Sequence, residues 1–327
     1  MLAVELGRLR LENPILTASG TFGFGKEYDA FVDLPSLGGV VTKTLYLQRR
    51  RGNPPPRVVE VAGGMLNSIG LENPGCDAFE AEILPWLREQ GVTVIASCAG
   101  ERAEDFPIVA SRLDAMDGVA AIEVNLSCPN VKKGGLDLGT DPQAVRRIVS
   151  EVRSVTEKPI IAKLTPNTAD IGGLARAAAQ SGAEALSLIN TLAAMAIDWR
   201  KREPILGARF GGLSGPCIKP VALRMVWLAS QAVDLPIIGI GGIRSTEDVL
   251  EFLVAGASAV QVGTANFFQP NISQEILEEL PQLLEKEGIE QVSELIGTLR
   301  KESAAVSSGA CSGATAPGTM NPGSSAP

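Results

Sequence analysis

The segment PIIGIGGIRSTEDVLEFLVAGASAVQVGT, residues 236–264, contains two short apolar runs on either side of a helix-length stretch. Apolar runs this short are typical of buried parallel strands, here 236–240 and 259–262. Residues 246–255, between them, have the length and composition of a helix. Because parallel strands need such a crossover, the segment predicts a strand–helix–strand unit of a parallel sheet.

The same alternation recurs along most of the chain. Six earlier strands are predicted at 14–20, 38–44, 92–97, 119–124, 159–164 and 185–189, and further helices at 78–90, 104–115, 142–156, 171–181 and 219–233. Eight strands joined mostly by helices within roughly 250 residues predict a (β/α)8 barrel, the TIM-barrel fold. An open, doubly wound sheet is the alternative, and the lack of a GxGxxG motif after the first strand counts against it.

Several segments lie outside this repeat. Residues 2–6 and 8–11 alternate around Gly7 and predict a small N-terminal hairpin. Residues 46–75 and 190–215 are predicted as long loops over the site, and 274–287 and 291–300 as closing helices. Residues 1–302 form the predicted barrel domain. Residues 303–327 consist almost wholly of Ser, Ala, Gly, Pro and Thr, which predicts a disordered tail.

Composition restricts the classes of function. The net charge of −8 disfavours a nucleic-acid partner, because phosphate binding depends on basic surface. No apolar run is long enough to span a membrane. The five cysteines show no metal-binding spacing and suit a reducing compartment, so we expect a cytoplasmic protein without a bound metal. The chain has no histidine, which leaves a carboxylate, cysteine, lysine or tyrosine as general base.

Polar residues and glycines follow the predicted strands at the end where a barrel of this type has its active site. They are Ser19, Lys43, Thr44, Ser97, Asn125, Lys163, Asn190, Thr191, Gly241, Gly242, Gly263 and Thr264. The glycines after the seventh and eighth strands expose backbone N–H groups, and these loops are where barrels bind phosphate. The sequence therefore predicts a phosphate group there, belonging either to a substrate or to a cofactor.

The side chains at these strand ends indicate the kind of ligand. Lys43 and Lys163 offer positive charge where electron density accumulates during a reaction. Amide side chains suit a planar ligand with both donors and acceptors, such as a pyrimidine ring. The amides in question are Asn67, Asn125, Asn130 and Asn190.

Cys128 lies three residues beyond Asn125, on a loop that continues to the glycines at 134, 135 and 139. A lone cysteine in this position is either a buried structural thiol or, in a chain without histidine, the proton acceptor of the site. An ordinary thiol has a pKa of about 8.5, so a reaction that uses Cys128 as base should accelerate towards alkaline pH. The glycine-rich continuation predicts a lid over the thiol.

Together, these motifs resemble those of class 1 dihydroorotate dehydrogenases, and most closely the catalytic subunit of class 1B. The similarity extends to about residue 300 and implies a (β/α)8 barrel that uses FMN to oxidise dihydroorotate to orotate in pyrimidine (UMP) biosynthesis. The matching segments, in order, are ASGTFG (18–23), VTKT (41–44), NSIGL (67–71), VNLSCPN (124–130), AKL (162–164), NT (190–191), GLSG (212–215), GGI (241–243) and VGT (262–264).

The resemblance also implies roles for individual residues. Cys128 would take the C5 proton of dihydroorotate while C6 passes hydride to FMN. Ser97 stands where the family commonly has asparagine, so its contact with FMN would be lost or water-mediated. The remaining FMN residues would be Ser19, Lys43, Thr44, Asn125, Lys163, Ile189, Gly215, Gly241, Gly242, Gly263 and Thr264, with Lys163 facing negative charge on the flavin. Orotate would be held by Lys43, Asn67, Ser68, Ile69, Gly70, Leu71, Asn125, Asn190 and Thr191.

Class 1B further implies partners. This chain has neither a second flavin motif nor the cysteines of an iron–sulfur cluster. Electrons would therefore reach NAD+ through a partner subunit that carries FAD and a [2Fe–2S] cluster, in a heterotetramer built on a homodimer. The alternatives are a class 1A enzyme that reduces fumarate, an FMN barrel that reduces uridine in tRNA (a tRNA dihydrouridine synthase), a non-redox isomerase or aldolase barrel, and a non-catalytic binding module. A flavin spectrum would separate the redox enzymes from the last two.

Overall fold

The computed structural model describes residues 1–127 and 138–300. Its strands, in chain order, are β1 (Val4–Leu6), β2 (Leu9–Leu11), β3 (Ile15–Thr17), β4 (Gly39–Val41), β5 (Val58–Val61), β6 (Gly64–Asn67), β7 (Val94–Cys98), β8 (Val119–Asn125), β9 (Ile160–Lys163), β10 (Ala185–Leu188), β11 (Leu192–Ala194), β12 (Ile197–Asp198), β13 (Glu203–Pro204), β14 (Gly211–Ser214), β15 (Ile237–Ile240) and β16 (Ala259–Val262). Its α-helices are α1 (Cys76–Ala78), α2 (Leu84–Glu89), α3 (Asp105–Asp114), α4 (Pro142–Arg153), α5 (Ile171–Ala179), α6 (Lys219–Ser230), α7 (Thr246–Ala255), α8 (Ala265–Phe268) and α9 (Ile272–Lys286). Short 3-10 turns cover Lys26–Tyr28, Leu34–Ser36, Leu138–Thr140, Pro216–Ile218 and Val292–Leu295, and a π-helical turn covers Phe79–Ile83.

Eight of these strands close into a parallel barrel, in the chain order β3, β4, β7, β8, β9, β10, β15 and β16. The last strand returns to the first, with Val260 beside Ile15 and Val262 beside Thr17. Helices connect most consecutive strands, as parallel pairing requires. The predicted (β/α)8 barrel is confirmed, and the open sheet is excluded because an open sheet has two unpaired edges.

The residues around α7 show why the chain adopts this unit. The Ser245 hydroxyl accepts a hydrogen bond from the Asp248 N–H at 3.2 Å and so caps the first turn. Gly256 ends the helix in the left-handed conformation, with φ of 117°. A Cβ on Gly239 of β15 would overlap the buried ring of Phe252, so glycine allows the helix to pack closely on the strand.

The predicted N-terminal hairpin is present as the antiparallel pair β1–β2. Its residues Leu6 and Leu11 are buried. Arg8, in the turn, donates hydrogen bonds to the carboxylate of Glu184, directly before β10, and to the carbonyl of Glu157, shortly before β9. Because these partners precede their strands, the hairpin covers the N-terminal end of the barrel, opposite the predicted site.

The two inserted segments predicted as long loops contain short strands that form a second sheet, so the prediction that they lack strands was wrong. From 46–75 come β5 and β6, and from 190–215 come β11 and β14; they form one antiparallel sheet in the order β11-β14-β6-β5. The neighbouring β12 and β13 form a separate pair. The four strands have only three or four residues each, and glycine begins β6 and β14, so an alternating apolar pattern is too short to be recognised.

One helix prediction was wrong, and another is confirmed with a local irregularity. Residues 291–300 contain only the 3-10 turn Val292–Leu295. Gly297 then has φ of 70° and donates its N–H to Leu253 O, so the chain follows the end of α7 and does not continue as a helix. The predicted helix 78–90 is helical but contains the π turn, because Pro85 has no N–H to donate to an earlier carbonyl.

Some predictions fall on residues whose structure is not described. Cys128, Asn130 and the loop glycines at 134 and 135 lie outside the described residues, as does the predicted tail at 303–327. The lid and the domain boundary at residue 302 therefore stay predictions. Within the described ranges, no helix is both long enough and apolar enough to cross a bilayer.

Candidate active site

The ends of several barrel strands converge on the hydroxyl of Thr44. Thr44 follows β4, and its Oγ1 lies 3.2 Å from Ser19 Oγ after β3 and 3.0 Å from Ser97 Oγ of β7. Thr44 Oγ1 also accepts a hydrogen bond from Asn125 Nδ2 of β8 at 3.3 Å. Asn125 Oδ1 in turn accepts one from Asn190 Nδ2, just beyond β10, at 3.2 Å. Five residues predicted at separate strand ends therefore form one hydrogen-bonded chain.

Ser97 belongs to this hydrogen-bonded network, and Lys43 lies next to Thr44 in the sequence. The Ser97 side chain is fully buried, and its backbone N–H donates to Thr42 Oγ1 at 3.1 Å. Ser97 therefore supports Thr44. Like Lys43, Thr44 and Asn125, it is not among the residues that line the cavity beside this network. Lys43 is half-buried, and its backbone N–H donates to Gly23 O at 3.0 Å.

A cavity opens beside the hydrogen-bonded chain, at the C-terminal ends of the strands. A second cavity, of about 420 Å³, adjoins it, because Gly215, Gly242 and Thr264 line both. The predicted phosphate glycines and the predicted substrate residues Asn190 and Thr191 thus share one region of the surface. The first cavity is lined by Ala18, Ser19, Thr21, Lys163, Ile189, Asn190, Thr191, Ser214, Gly215, Ile218, Ile240, Gly241, Gly242, Gly263 and Thr264.

Two glycines where the cavities meet leave no room for a side chain. Gly215 has φ of 105°, and a Cβ there would lie 2.7 Å from Gly64 Cα. Gly242 has φ of 80°, and its Cβ would lie 2.8 Å from Lys219 Cβ. Both positions need the left-handed conformation and the small size of glycine. Bare backbone of this kind suits close approach by an anion such as phosphate.

The predicted substrate segment, residues 67–71, begins at the end of β6. Asn67 Nδ2 donates to a carbonyl of β14 at 3.4 Å. The N–H of Asn53 donates to Ile69 O at 2.9 Å, and Arg50 Nε donates to Gly70 O at 3.0 Å. Asn53 and Arg50, which precede this segment in the chain, therefore hold its backbone in place.

The side chains of the same segment are held as well. Ser68 is buried, and its hydroxyl accepts a hydrogen bond from Asn53 Nδ2 at 3.0 Å. Leu71 is half-buried and takes a left-handed conformation, with φ of 59°. Arg57 forms an ion pair with Glu72 at 2.6 Å just beyond it. A non-glycine residue in the left-handed region is uncommon, and here the surrounding contacts maintain it.

Sequence reasoning missed two polar residues near the site. Asn167, beyond β9, donates through Nδ2 to Thr191 O at 3.2 Å and accepts through Oδ1 from Ala193 N at 2.9 Å. Its place after a strand end was the available signal. Glu123 is a fully buried acid within β8, and the signal was a single charged residue in the apolar run 119–124.

The two buried cysteines of the described ranges are unsuited to act as the base. Burial raises the pKa of the Cys76 thiol to about 11, and burial likewise raises the pKa of the Cys98 thiol. Neither ionises readily near neutral pH. Cys128 lies outside the described residues, but the start of its loop is defined, since Ser127 N–H donates to Asn125 Oδ1 at 3.3 Å.

Comparison with known proteins relates this arrangement to a family. The profile of the dihydroorotate dehydrogenase family matches residues 1–284. The chain belongs to this family. Among similar proteins is the dihydroorotate dehydrogenase B (NAD(+)) catalytic subunit of Geotalea daltonii, 54% identical over 299 residues, which are 91% of this chain and 98% of that protein. Proteins of the same name from Thermoanaerobacter pseudethanolicus and Desulforudis audaxviator are each 52% identical over 91% of this chain and over 99% and 97% of their own lengths.

Membership of the dihydroorotate dehydrogenase family confirms the resemblance inferred from the motifs. These relatives are named as B-type, NAD(+)-linked catalytic subunits, so the resemblance to class 1B in particular is also confirmed. The eight-stranded barrel and its cavity at the strand ends are the structural counterparts of the matched region.

Proposed function

We propose that this protein is the catalytic subunit of an NAD+-linked dihydroorotate dehydrogenase, which oxidises dihydroorotate to orotate in pyrimidine biosynthesis. The observation that carries the proposal is the cavity at the C-terminal strand ends. Lys163, Asn190 and Thr191 line it together with Gly215 and Gly242. Groups suited to a small polar ring and groups suited to a phosphate thus lie on one cavity.

The two adjoining cavities together offer space for FMN, and Gly215 and Gly242 present bare backbone where the cavities meet. We propose that the glycines and Thr264 hold the phosphate, while Ser19, Thr44 and Asn125 bind polar edges of the flavin and Lys163 faces it. When bound, FMN supplies the acceptor for the hydride that leaves C6 of dihydroorotate. The full proposed set is Ser19, Lys43, Thr44, Asn125, Lys163, Ile189, Gly215, Gly241, Gly242, Gly263 and Thr264, with Ser97 acting through Thr44.

The amides of the site are already oriented for the substrate. Asn125 donates to Thr44 and accepts from Asn190, and Asn190 Oδ1 accepts from Thr191 N at 2.7 Å. Each amide nitrogen carries a second N–H with which it can donate to a ligand oxygen. We propose that these residues, together with Lys43 and the segment 67–71, bind dihydroorotate and orotate.

Cys128 is our proposed base. It follows Asn125, the last residue of β8, by three residues in the sequence. As a thiolate it would take the proton from C5 of dihydroorotate. The predicted lid that follows it, residues 134–139, would exclude water from this transfer.

The names of the relatives also guide the proposed assembly. A catalytic subunit implies a separate subunit, and we propose that this partner carries FAD and a [2Fe–2S] cluster and passes electrons to NAD+ in the cytoplasm. A homodimer of this chain with two such partners is the proposed heterotetramer. The side chains of Ile197, Trp199 and Phe210 are 60%, 70% and 63% exposed, which supports an interface in this part of the chain.

A spectrum of the purified protein tests the redox function. We expect the visible absorption of FMN, and release of orotate when dihydroorotate and an artificial electron acceptor are added. A protein that is colourless and remains so after incubation with FMN would overturn the proposal and favour a non-redox barrel. A flavoprotein that produces no orotate would favour another FMN barrel.

A further inference from the structure

Glu123 is a buried acid in the barrel interior, one layer below the cavity. Residues two apart on a strand point to the same side, so Glu123 and Asn125 of β8 share a face. Asn125 is paired with Lys163 of β9 at the cavity end of the barrel. The side chains of Glu123 and Lys163 are 0% and 6% exposed, so both charges are removed from bulk water.

The two oxygens of the Glu123 carboxylate have different surroundings. Oε2 accepts hydrogen bonds from Ser187 Oγ of β10 at 3.0 Å and from Gln261 Nε2 of β16 at 2.8 Å. Oε1 has no hydrogen-bond partner among the described residues and lies 3.5 Å from Lys163 Nζ. The carboxylate is therefore anchored through one oxygen and presents the other to the ammonium.

Hydrogen bonding alone does not account for a carboxylate at this position. A glutamine has nearly the same shape, and its carbonyl oxygen would accept from Ser187 and Gln261 equally well. Burying an ionised carboxylate costs more free energy than burying an amide. The negative charge instead interacts favourably with the positively charged side chain beside it, Lys163.

Lys163 connects this buried pair to the cofactor site. It lines the cavity proposed for FMN, and Glu123 lies behind it in the barrel. In a poorly solvated interior, a charge acts on its neighbours more strongly than it does in water. An unopposed ammonium at the cavity would favour uptake of electrons by a bound flavin, and a nearby carboxylate would reduce that effect.

We propose that Glu123 is the counter-ion of the Lys163 ammonium at the FMN cavity and, by opposing its charge, lowers the midpoint potential of bound FMN. The inference rests on the proposed FMN site. The midpoint potential would then depend on the balance between two charges, those of Glu123 and Lys163, and not on Lys163 alone. Neither charge touches the reacting carbon atoms of the substrate in this role.

Glu123→Gln in the FMN-loaded chain tests the proposal through the midpoint potential, measured by reduction in equilibrium with a reference dye. Loss of the negative charge should raise the potential, with the affinity of reduced over oxidised FMN increasing by about tenfold, which is about 30 mV for a two-electron couple. Lys163→Met should shift the potential in the opposite direction. Glu285→Gln, which makes the same chemical change on the exposed face of α9, serves as control and should leave the potential unchanged.

The double variant Glu123→Gln with Lys163→Met keeps the test decisive if the single variant fails to fold. Its potential should lie above that of Lys163→Met alone. A potential that does not rise on removal of the carboxylate, in either background, would overturn the proposal, even if thermal stability changes. Since a dye supplies the electrons, this failure is distinct from failure of the proposed function, which would appear as a wild-type protein that binds no FMN or forms no orotate.

Discussion

Thr44 shows how the residues of this site support one another. Its hydroxyl lies within hydrogen-bond distance of Ser19 and Ser97 and accepts a hydrogen bond from the amide of Asn125. The Asn125 amide in turn accepts one from the amide of Asn190. Side chains that are fixed in this way before a ligand binds do not need to be ordered during the reaction. The proposed binding groups are therefore organised by the barrel strands themselves.

The central prediction at the level of single residues concerns Cys128. Replacing a general base lowers the rate by typically 10²–10⁴-fold, so we expect Cys128→Ser to reduce turnover with dihydroorotate by about that factor. FMN should remain bound, because the proposed FMN residues are elsewhere. Steady-state kinetics together with the flavin content of the purified variant measure both effects.

Cys217→Ser is the matched control for this substitution. Cys217 lies in the 3-10 turn before α6 and is exposed, so its replacement should leave turnover unchanged. If Cys128→Ala reduced its flavin with dihydroorotate as fast as the wild type, another group would have to be the base.

Most of the site residues could be predicted from the sequence, but the contacts between them could not. Ser19, Thr44, Asn125 and Asn190 were predictable together because the ends of parallel strands meet at one rim. That Ser97 faces Thr44 from a buried position depends on the relative stagger of the barrel strands, which local pattern does not contain. The pairing of Glu123 with Lys163 was missed for the same reason.

At the level of elements, the glycine that precedes α6 has a defined steric role. In Gly215→Ala, the strained φ and the approach to Gly64 should force the backbone to move and weaken FMN binding by roughly tenfold or more, equivalent to about 1.4 kcal/mol. Gly288→Ala is the control: its φ is 70°, but no atom of the described residues lies within 4 Å of the new Cβ. In this control, the free energy of unfolding should fall by about 1–2 kcal/mol, and the affinity for FMN should not change. FMN affinity is measured by fluorescence titration. Equal affinities of the two variants would contradict the steric role given to Gly215.

The N-terminal hairpin gives a prediction about pH. The hydrogen bond from Arg8 holds the pKa of Glu184 below its ordinary value, despite partial burial. A lowered folded-state pKa stabilises the fold above the unfolded value of about 4.3, and this contribution is lost as the pH falls through the folded value. Glu184→Gln should therefore melt below the wild type at neutral pH and approach it towards pH 3.

The exposed Glu5 of β1 provides the control for this pH series. Glu5→Gln should follow the wild type at every pH, since it leaves the contact between Arg8 and Glu184 intact. Melting temperatures measured from pH 7 to pH 3 make the comparison. A constant difference between Glu184→Gln and the wild type across that range would show that the ionisation of Glu184 is not responsible.

The barrel elements were predictable, and the second sheet was not. Helix α7 and strand β16 match their predicted bounds, because capping residues and apolar runs are local signals. The sheet above the barrel pairs Met65 with Ser214, residues far apart in the chain. Four short strands of this kind derive their stability from that distant pairing, which no window of sequence shows.

For the whole molecule, the proposed class predicts a dependence on a second protein. Purified alone, the chain should oxidise dihydroorotate with an artificial acceptor but reduce NAD+ negligibly. Affinity purification from the native host should recover a flavoprotein with FAD and a [2Fe–2S] cluster, and its addition should restore NAD+ reduction. A lone dimer that is reoxidised efficiently by fumarate would instead indicate the class 1A reaction.

The most direct measurement is an anaerobic titration of the purified, FMN-loaded chain with dihydroorotate. The proposed function predicts that about one equivalent per chain bleaches the visible flavin absorbance and that one equivalent of orotate appears in the ultraviolet. A flavin that stays oxidised in excess dihydroorotate, yet is bleached by dithionite, would contradict the proposed function.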